Sequence, residues 1–121
     1  MNVFINHTNH PSERWGETQL EAAGEYGDIV DYRFPDIAPG MDTEAVIKLA
    51  REYFDRISKE SPAAVLCQGE SVYVYHLVRM LKDAGIKVLA ACSERRVVEH
   101  IREDGTVEKM SEFVFAGFRK Y

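Results

Sequence analysis

Residues 62–71, PAAVLCQGES, contain the pattern that decides the fold. Pro62 ends the helical pattern before it, and residues 63–67 are a continuous apolar run, which is typical of a strand covered on both faces by helices. A polar turn, Gln68-Gly69-Glu70, follows, and Ser71 stands where a helix cap is expected. This order of strand, turn and helix predicts one unit of a parallel α/β sheet.

The same order repeats on both sides of this stretch. Further strands are predicted at residues 2–5, 28–33 and 86–92, and helices at about 12–24 and 43–60, with a third helix running from Ser71 to a glycine stop at Gly85. Strands that alternate with helices predict right-handed crossovers. We therefore expect a Rossmann-like, mostly parallel sheet flanked by helices.

The C-terminal part of the chain has a different pattern. Residues 96–102 and 107–118 are two β-like runs around Glu103-Asp104-Gly105, an acidic-glycine turn typical of a hairpin. We expect an antiparallel β-hairpin that extends the sheet or covers its edge. With 121 residues, of which 45% are hydrophobic, residues 1–121 are predicted to form a single domain around one core.

Charge and cysteine content limit the partners of the chain. The formal net charge of -5 disfavours duplex DNA and anionic membranes. No apolar stretch approaches the roughly 20 residues that cross a bilayer. Cys67 and Cys92 lie inside apolar runs and no signal-peptide pattern is present, so a reducing cytoplasm is expected.

Three polar segments follow predicted strands: NHTNHPS at residues 6–12, CQGES at 67–71 and ACSERR at 91–96. Ligands of open α/β sheets bind outside the carboxyl ends of the strands, so the three segments become neighbours if the first strand is central. The candidate ligand-binding residues are Asn6, Asn9, Ser12, Gln68, Gly69, Glu70, Ser71, Ser93 and Glu94, and the candidate catalytic residues are His10, Arg95 and Arg96. Arginine grips phosphate oxygens, and histidine titrates near neutral pH.

Each segment also has a purely structural interpretation, which stays open. Ser12 can cap a helix, CQGES can be an ordinary turn, and Glu94 can pair with Arg95 or Arg96 in a solvated turn. No metal or cofactor is expected. His7, His10, Cys67 and Cys92 lack the paired spacing of a zinc site, and neither common glycine-rich nucleotide-binding motif occurs.

Residues 6–15 (NHTNHPSERW), 65–70 (VLCQGE) and 88–95 (VLAACSER) together resemble the small Rossmann-like, CARF-related proteins of type III CRISPR systems. The resemblance implies a homodimer whose two strand-end rims face one another around a cyclic oligoadenylate, with cyclic tetra-adenylate as the first candidate. Because no effector domain is present, it implies that the protein degrades the messenger as a ring nuclease or sequesters it.

Cleavage in such a protein would be metal-free, with a ribose 2′-hydroxyl attacking the adjacent phosphorus. His10 would be the acid/base, Arg95 or Arg96 would stabilise the phosphorane, and Ser12 and Ser93 would hold phosphate oxygens. Two other classes remain open. One is a transferase or hydrolase acting on a nucleoside or sugar phosphate at the same rim, and the other is a non-catalytic interaction subunit.

Overall fold

The computed structural model describes residues 2–121 as a five-stranded sheet with helices on both faces. The strands are β1 (Val3–His7), β2 (Asp28–Asp31), β3 (Ala64–Cys67), β4 (Val88–Ile101) and β5 (Val107–Lys120). The helices are α1 (Glu17–Gly24), α2 (Thr43–Lys59) and α3 (Ser71–Asp83), preceded by one short 3-10 turn at Ser12–Arg14.

The strand order is β2-β1-β3-β4-β5. Strand β1 pairs in parallel with β2 on one side and with β3 on the other, and β3 pairs in parallel with β4. Strand β5 runs antiparallel to β4 along nearly the full length of both strands. The predicted mostly parallel sheet with a C-terminal antiparallel hairpin is confirmed.

The two faces of the sheet carry separate apolar clusters. One face packs against α2 and α3, and its buried residues include Ile5, Val46, Ala50, Ile57, Val65, Leu77 and Leu81. The other face packs on the α1 side, with Phe4, Ala23, Ala64, Leu66 and Leu89 buried. Alternate residues of β1 and β3 therefore point into opposite clusters. For this reason residues 3–5 of β1 and 64–67 of β3 are continuous apolar runs.

Two predicted helix caps are wrong. Ser12 does not cap a helix spanning 12–24, because its hydroxyl donates to Asp31 and the chain makes only one 3-10 turn before α1 starts after Gly16. Ser71 does not cap α3, since the longer Glu70 side chain accepts hydrogen bonds from the amides of Val72 and Tyr73. The hydrogen bond from Tyr73, and after it the one from Val72, lowers the pKa of Glu70.

The predicted end of the fourth strand at residue 92 is also wrong. Residues 93–96 of the ACSERR segment do not form a turn; they continue β4 to Ile101, with only a bulge between Cys92 and Ser93. The reason is the pairing with β5, which satisfies the backbone groups of β4 far beyond the last contact with β3 at Leu89.

His7 lies fully buried at the carboxyl end of β1. Its Nδ1 is 2.7 Å from the carbonyl oxygen of Tyr32 and its Nε2 is 2.7 Å from the hydroxyl of Tyr73. Because a carbonyl only accepts, Nδ1 carries the proton and Tyr73 donates to Nε2. Burial, reinforced by the nearby Arg56 charge, lowers the pKa of His7 to about 4. His7 is thus a neutral, structural residue.

This burial predicts an acid sensitivity of the fold. Between pH 6.5 and pH 4 the unfolded chain binds a proton at His7 that the folded chain does not, so the free energy of unfolding falls as the pH falls, by about 3 kcal/mol in total from this group. Urea denaturation of His7→Phe should show a shallower fall over this range than the wild type. His100→Phe, at an exposed position, should keep the wild-type slope. Equal slopes in all three proteins would contradict this role of His7.

Candidate functional site

A cleft of about 640 Å³ opens at the carboxyl ends of the strands. From β1 the chain passes to β2 on one side and then crosses to β3 on the other, so the strand order reverses between β1 and β3. This is the point where open α/β sheets bind ligands. The cleft lies on the α1 side and is closed at its far wall by β4 and β5.

The cleft is lined by cationic, polar and aromatic side chains. Its lining residues include Thr8, Asn9, His10, Arg14, Trp15, Thr18, Gln19, Gln68, Gly69, Ser93, Phe113 and Phe115. No Asp or Glu occurs among the residues that form this cleft, although the chain contains 20 of them. In an acidic protein, such an acid-free surface with an arginine and a histidine favours an anionic ligand.

The loop after β1 is held in place by the carboxylate of Asp31 at the end of β2. Asp31 accepts from the amide group of Asn6 at 2.8 Å and from the hydroxyl of Ser12 at 3.0 Å. Asn6 also donates to the carbonyl of His10, and Thr8 donates to Asn6. Asn6 and Ser12 therefore support the loop, whereas the exposed Asn9 and His10 face the cleft.

The residues after β3 have different roles: some line the cleft, and others stabilise the fold. The side-chain oxygen of Gln68 accepts from the backbone N–H of Ala91 at 2.9 Å, so the amide nitrogen of Gln68 remains for a ligand. Gly69 lines the cleft, but a Cβ at this position would overlap the ring of Phe34, so packing also requires the glycine. Glu70 caps α3, and Ser71 lies in a different groove along α3.

The third predicted segment alternates between the two faces of β4. Ser93 lies in the cleft, and Arg95 is paired with Phe113, a cleft residue, so both share one face. The Nη2 of Arg95 is 3.0 Å from the hydroxyl of Ser111. Glu94 and Arg96 lie on the opposite face and form an exposed ion pair at 3.4 Å. The structure therefore brings Ser93 and Arg95 to the cleft side and leaves Glu94 and Arg96 outside it.

Several cleft residues were not predicted as site residues, among them Arg14, Trp15, Thr18, Phe113 and Phe115. The alternation of Phe113 and Phe115 was visible in the sequence, but the position of β5 beside the cleft was not. Trp15 donates from its indole nitrogen to the carbonyl of His10 at 3.2 Å. Its ring meets Phe4 edge to face with centroids 6.3 Å apart. This half-buried indole is therefore held at the rim, where it lines the cleft.

The remaining features of the described residues concern metal ligands, the buried thiol and helix length. Within residues 2–121, no group of three or more His, Cys, Asp or Glu side chains could hold a metal ion. Burial raises the pKa of Cys67 to about 12, so this thiol is not a nucleophile near neutral pH. No helix in the same range is long and apolar enough to cross a membrane.

One family model matches almost the whole chain. Its description is "Uncharacterized protein MJ1673 family", and the match covers residues 2–119. The chain belongs to the MJ1673 family. The matched range of this MJ1673-family chain includes every residue that lines the cleft. No curated protein matches the chain.

The Asp31 network yields a prediction for this MJ1673-family fold. Asp31→Asn keeps the shape of the side chain but places an N–H group against the donors of Ser12 or Asn6, so the free energy of unfolding should fall by about 1–2 kcal/mol in urea denaturation. Asp28→Asn, at the other end of β2, is the matched control and should stay near the wild-type stability. Equal stabilities of the two variants would show that the network does not hold the loop.

Proposed function

We propose that this cleft binds a cyclic oligoadenylate, with cyclic tetra-adenylate as the first candidate, and that the protein acts as a homodimer that degrades or sequesters this messenger. The observation that carries the proposal is the acid-free cleft, which combines cationic groups with aromatic rings at the point where the strand order reverses. The strand-end segments that resemble CARF-related proteins supply the expected ligand class.

Phosphate groups of the ligand meet the cationic part of the site. Arg14 lines the cleft from the 3-10 turn. Arg95 does not line the cleft itself but lies beside it on β4, paired with the cleft residue Phe113 and held by Ser111. Guanidinium groups bind phosphate oxygens bidentately, and the hydroxyls of Thr18 and Ser93 add neutral donors. Arg96, paired with Glu94 on the other face, takes no part in this binding.

Bases of the ligand meet the aromatic part of the site. Trp15, Phe113 and Phe115 line the same cleft. Stacking of a base on an aromatic ring is worth about 1–3 kcal/mol. The amide groups of Asn9 and Gln68 are placed to hydrogen-bond base edges or ribose hydroxyls. A site that offers both rings and arginines suits a nucleotide better than a bare anion.

His10 is the candidate acid/base if the ligand is cleaved. Its side chain is exposed at the cleft, while its own carbonyl is held by Asn6 and by the Trp15 indole. In the proposed reaction the imidazole takes the proton of a ribose 2′-hydroxyl as its oxygen attacks the adjacent phosphorus. The P–O5′ bond breaks, a 2′,3′-cyclic phosphate forms, and the 5′-oxygen leaves as a hydroxyl after it takes up a proton from solvent. Without such transfer, the same cleft sequesters the messenger. We place either activity in the cytoplasm.

A second candidate is a transferase or hydrolase acting on a nucleoside or sugar phosphate. The cleft volume favours it, because about 640 Å³ lies in the range of sites for one small ligand and a cyclic tetranucleotide needs more room. In the homodimer proposed here, two clefts share the ring, which removes this difficulty. The third class, a non-catalytic interaction subunit, would be favoured if the protein binds no nucleotide.

A binding experiment separates these candidates. Cyclic tri-, tetra- and hexa-adenylate should raise the melting temperature of the wild type, whereas AMP and ribose 5-phosphate at equal concentration should not. Arg14→Ala and Arg95→Ala should each weaken binding by about ten-fold or more, and the matched control Arg96→Ala should not. Stabilisation by the monophosphates alone would favour the second candidate, and stabilisation by none of these ligands would contradict the proposal.

Turnover tests the role of His10. If chromatography shows that the wild type linearises cyclic tetra-adenylate, His10→Ala should still bind it but cleave it about a hundred-fold more slowly or worse, because a proton-transfer group is lost. His76→Ala, on α3, is the control and should cleave at the wild-type rate. Equal rates in both variants would exclude His10 as the acid/base, and a wild type that binds without cleaving would make the protein a sequestering one.

A further inference from the structure

The distal half of the hairpin stands apart from the rest of the sheet. We call residues 93–101 of β4 and 107–115 of β5 the ribbon. Strand β3 pairs with β4 only at Val88 and Leu89, so the ribbon has no third strand. At about 3.4 Å per residue, it is roughly 30 Å long. A two-stranded ribbon in water is marginally stable unless something packs against it.

The two faces of the ribbon differ in chemistry. Cross-strand partners share a face, so one face carries Val97, Ile101, Val107 and Phe113, which are 61%, 80%, 57% and 75% exposed. The other face carries more charge: beside Val98, Met110 and Val114 it holds Glu94, Arg96, His100, Glu108 and Glu112. A hairpin that contacts only solvent is expected to be polar on both faces. The first face, which we call the apolar face, has the composition of a surface that is covered.

On the outer part of the apolar face, residues 97–101 and 107–111, the charges are one acid and one base, while Arg95 lies on the same face nearer the cleft and is held by Ser111. Glu99 lies directly opposite Lys109, so this acid and this base occur as a pair between the apolar side chains. A face that carries one acid and one base at the same level complements a copy of itself turned by a two-fold axis, because each Glu99 can meet the Lys109 of the other copy. An anionic membrane or a nucleic acid would instead meet the acidic tip at Glu103 and Asp104.

From these observations we infer that the apolar face of the ribbon is the surface through which two copies of this chain associate. Phe113 belongs both to the apolar face and to the wall of the cleft. A second copy seated on this face therefore covers the open side of the cleft and brings the two clefts close together. The inference rests on the homodimer of the proposed function, but not on its ligand.

Light scattering after size exclusion, without ligand, tests the interface. The wild type should have twice the chain mass of 13.8 kDa. Ile101→Glu/Val107→Lys keeps a cross-strand pair in the ribbon but charges the apolar face, so it should raise the dimer dissociation constant at least ten-fold. The matched control Val98→Glu/Met110→Lys changes the directly opposed pair on the other face and should remain dimeric. Circular dichroism verifies that each variant is folded.

A monomeric wild type would overturn the inference and leave the apolar face to a different partner. So would a dimer that the Ile101/Val107 variant leaves intact, or one that both variants dissociate, since the effect would then not belong to this face. The ligand experiment distinguishes the two proposals. A monomer that is still stabilised by cyclic tetra-adenylate overturns the interface and the proposed homodimer but not the ligand, and a dimer that no oligoadenylate stabilises overturns the ligand but not the interface.

Discussion

The structure depends on one constraint, the burial of polar side chains at the carboxyl end of β1. Asn6, His7 and Thr8 are all buried, and a buried polar group without a hydrogen bond is costly. Each finds partners from outside its own strand or in the next turn, namely Asp31, the Tyr32 carbonyl, the Tyr73 hydroxyl and the His10 carbonyl. Satisfying these groups fixes the path of the loop, and the path of the loop defines the cleft.

Because of this burial, His7 and His10 of the segment after β1 lie in different environments. His7 points into the α2 and α3 side, where aromatic rings of Phe34, Tyr53 and Tyr73 surround it and keep it neutral. His10 is exposed on the α1 side, beside Arg14 and Trp15. The buried hydrogen-bond network thus holds the backbone of this loop in place, while its exposed side chains remain available to a ligand.

The sequence predicted the fold well because apolar runs and turn residues act locally. Residues 63–67 and the amphipathic α2, capped by Asp42, left little choice of structure. The site was predicted only in part, because its remaining contacts depend on pairing over long distances. The continuation of β4 through Ser93 and Arg95 follows from β5, some twenty residues away, and so does the separation of Arg95 from Arg96. Asp31 lay inside the predicted strand 28–33, and nothing local in the sequence links it to Asn6.

The central claim is that nucleotide binding takes place in the acid-free cleft, and the single tryptophan of the chain provides a direct probe of it. In two-dimensional ¹H–¹⁵N spectra, titration with cyclic tetra-adenylate should shift the indole signal of Trp15, the side-chain amide of Gln19 and the backbone amide of Phe113. The groove along α3 that contains Tyr75, Arg79 and Lys82 should be unaffected. Shifts confined to that groove, or no shifts at saturating ligand, would contradict the account.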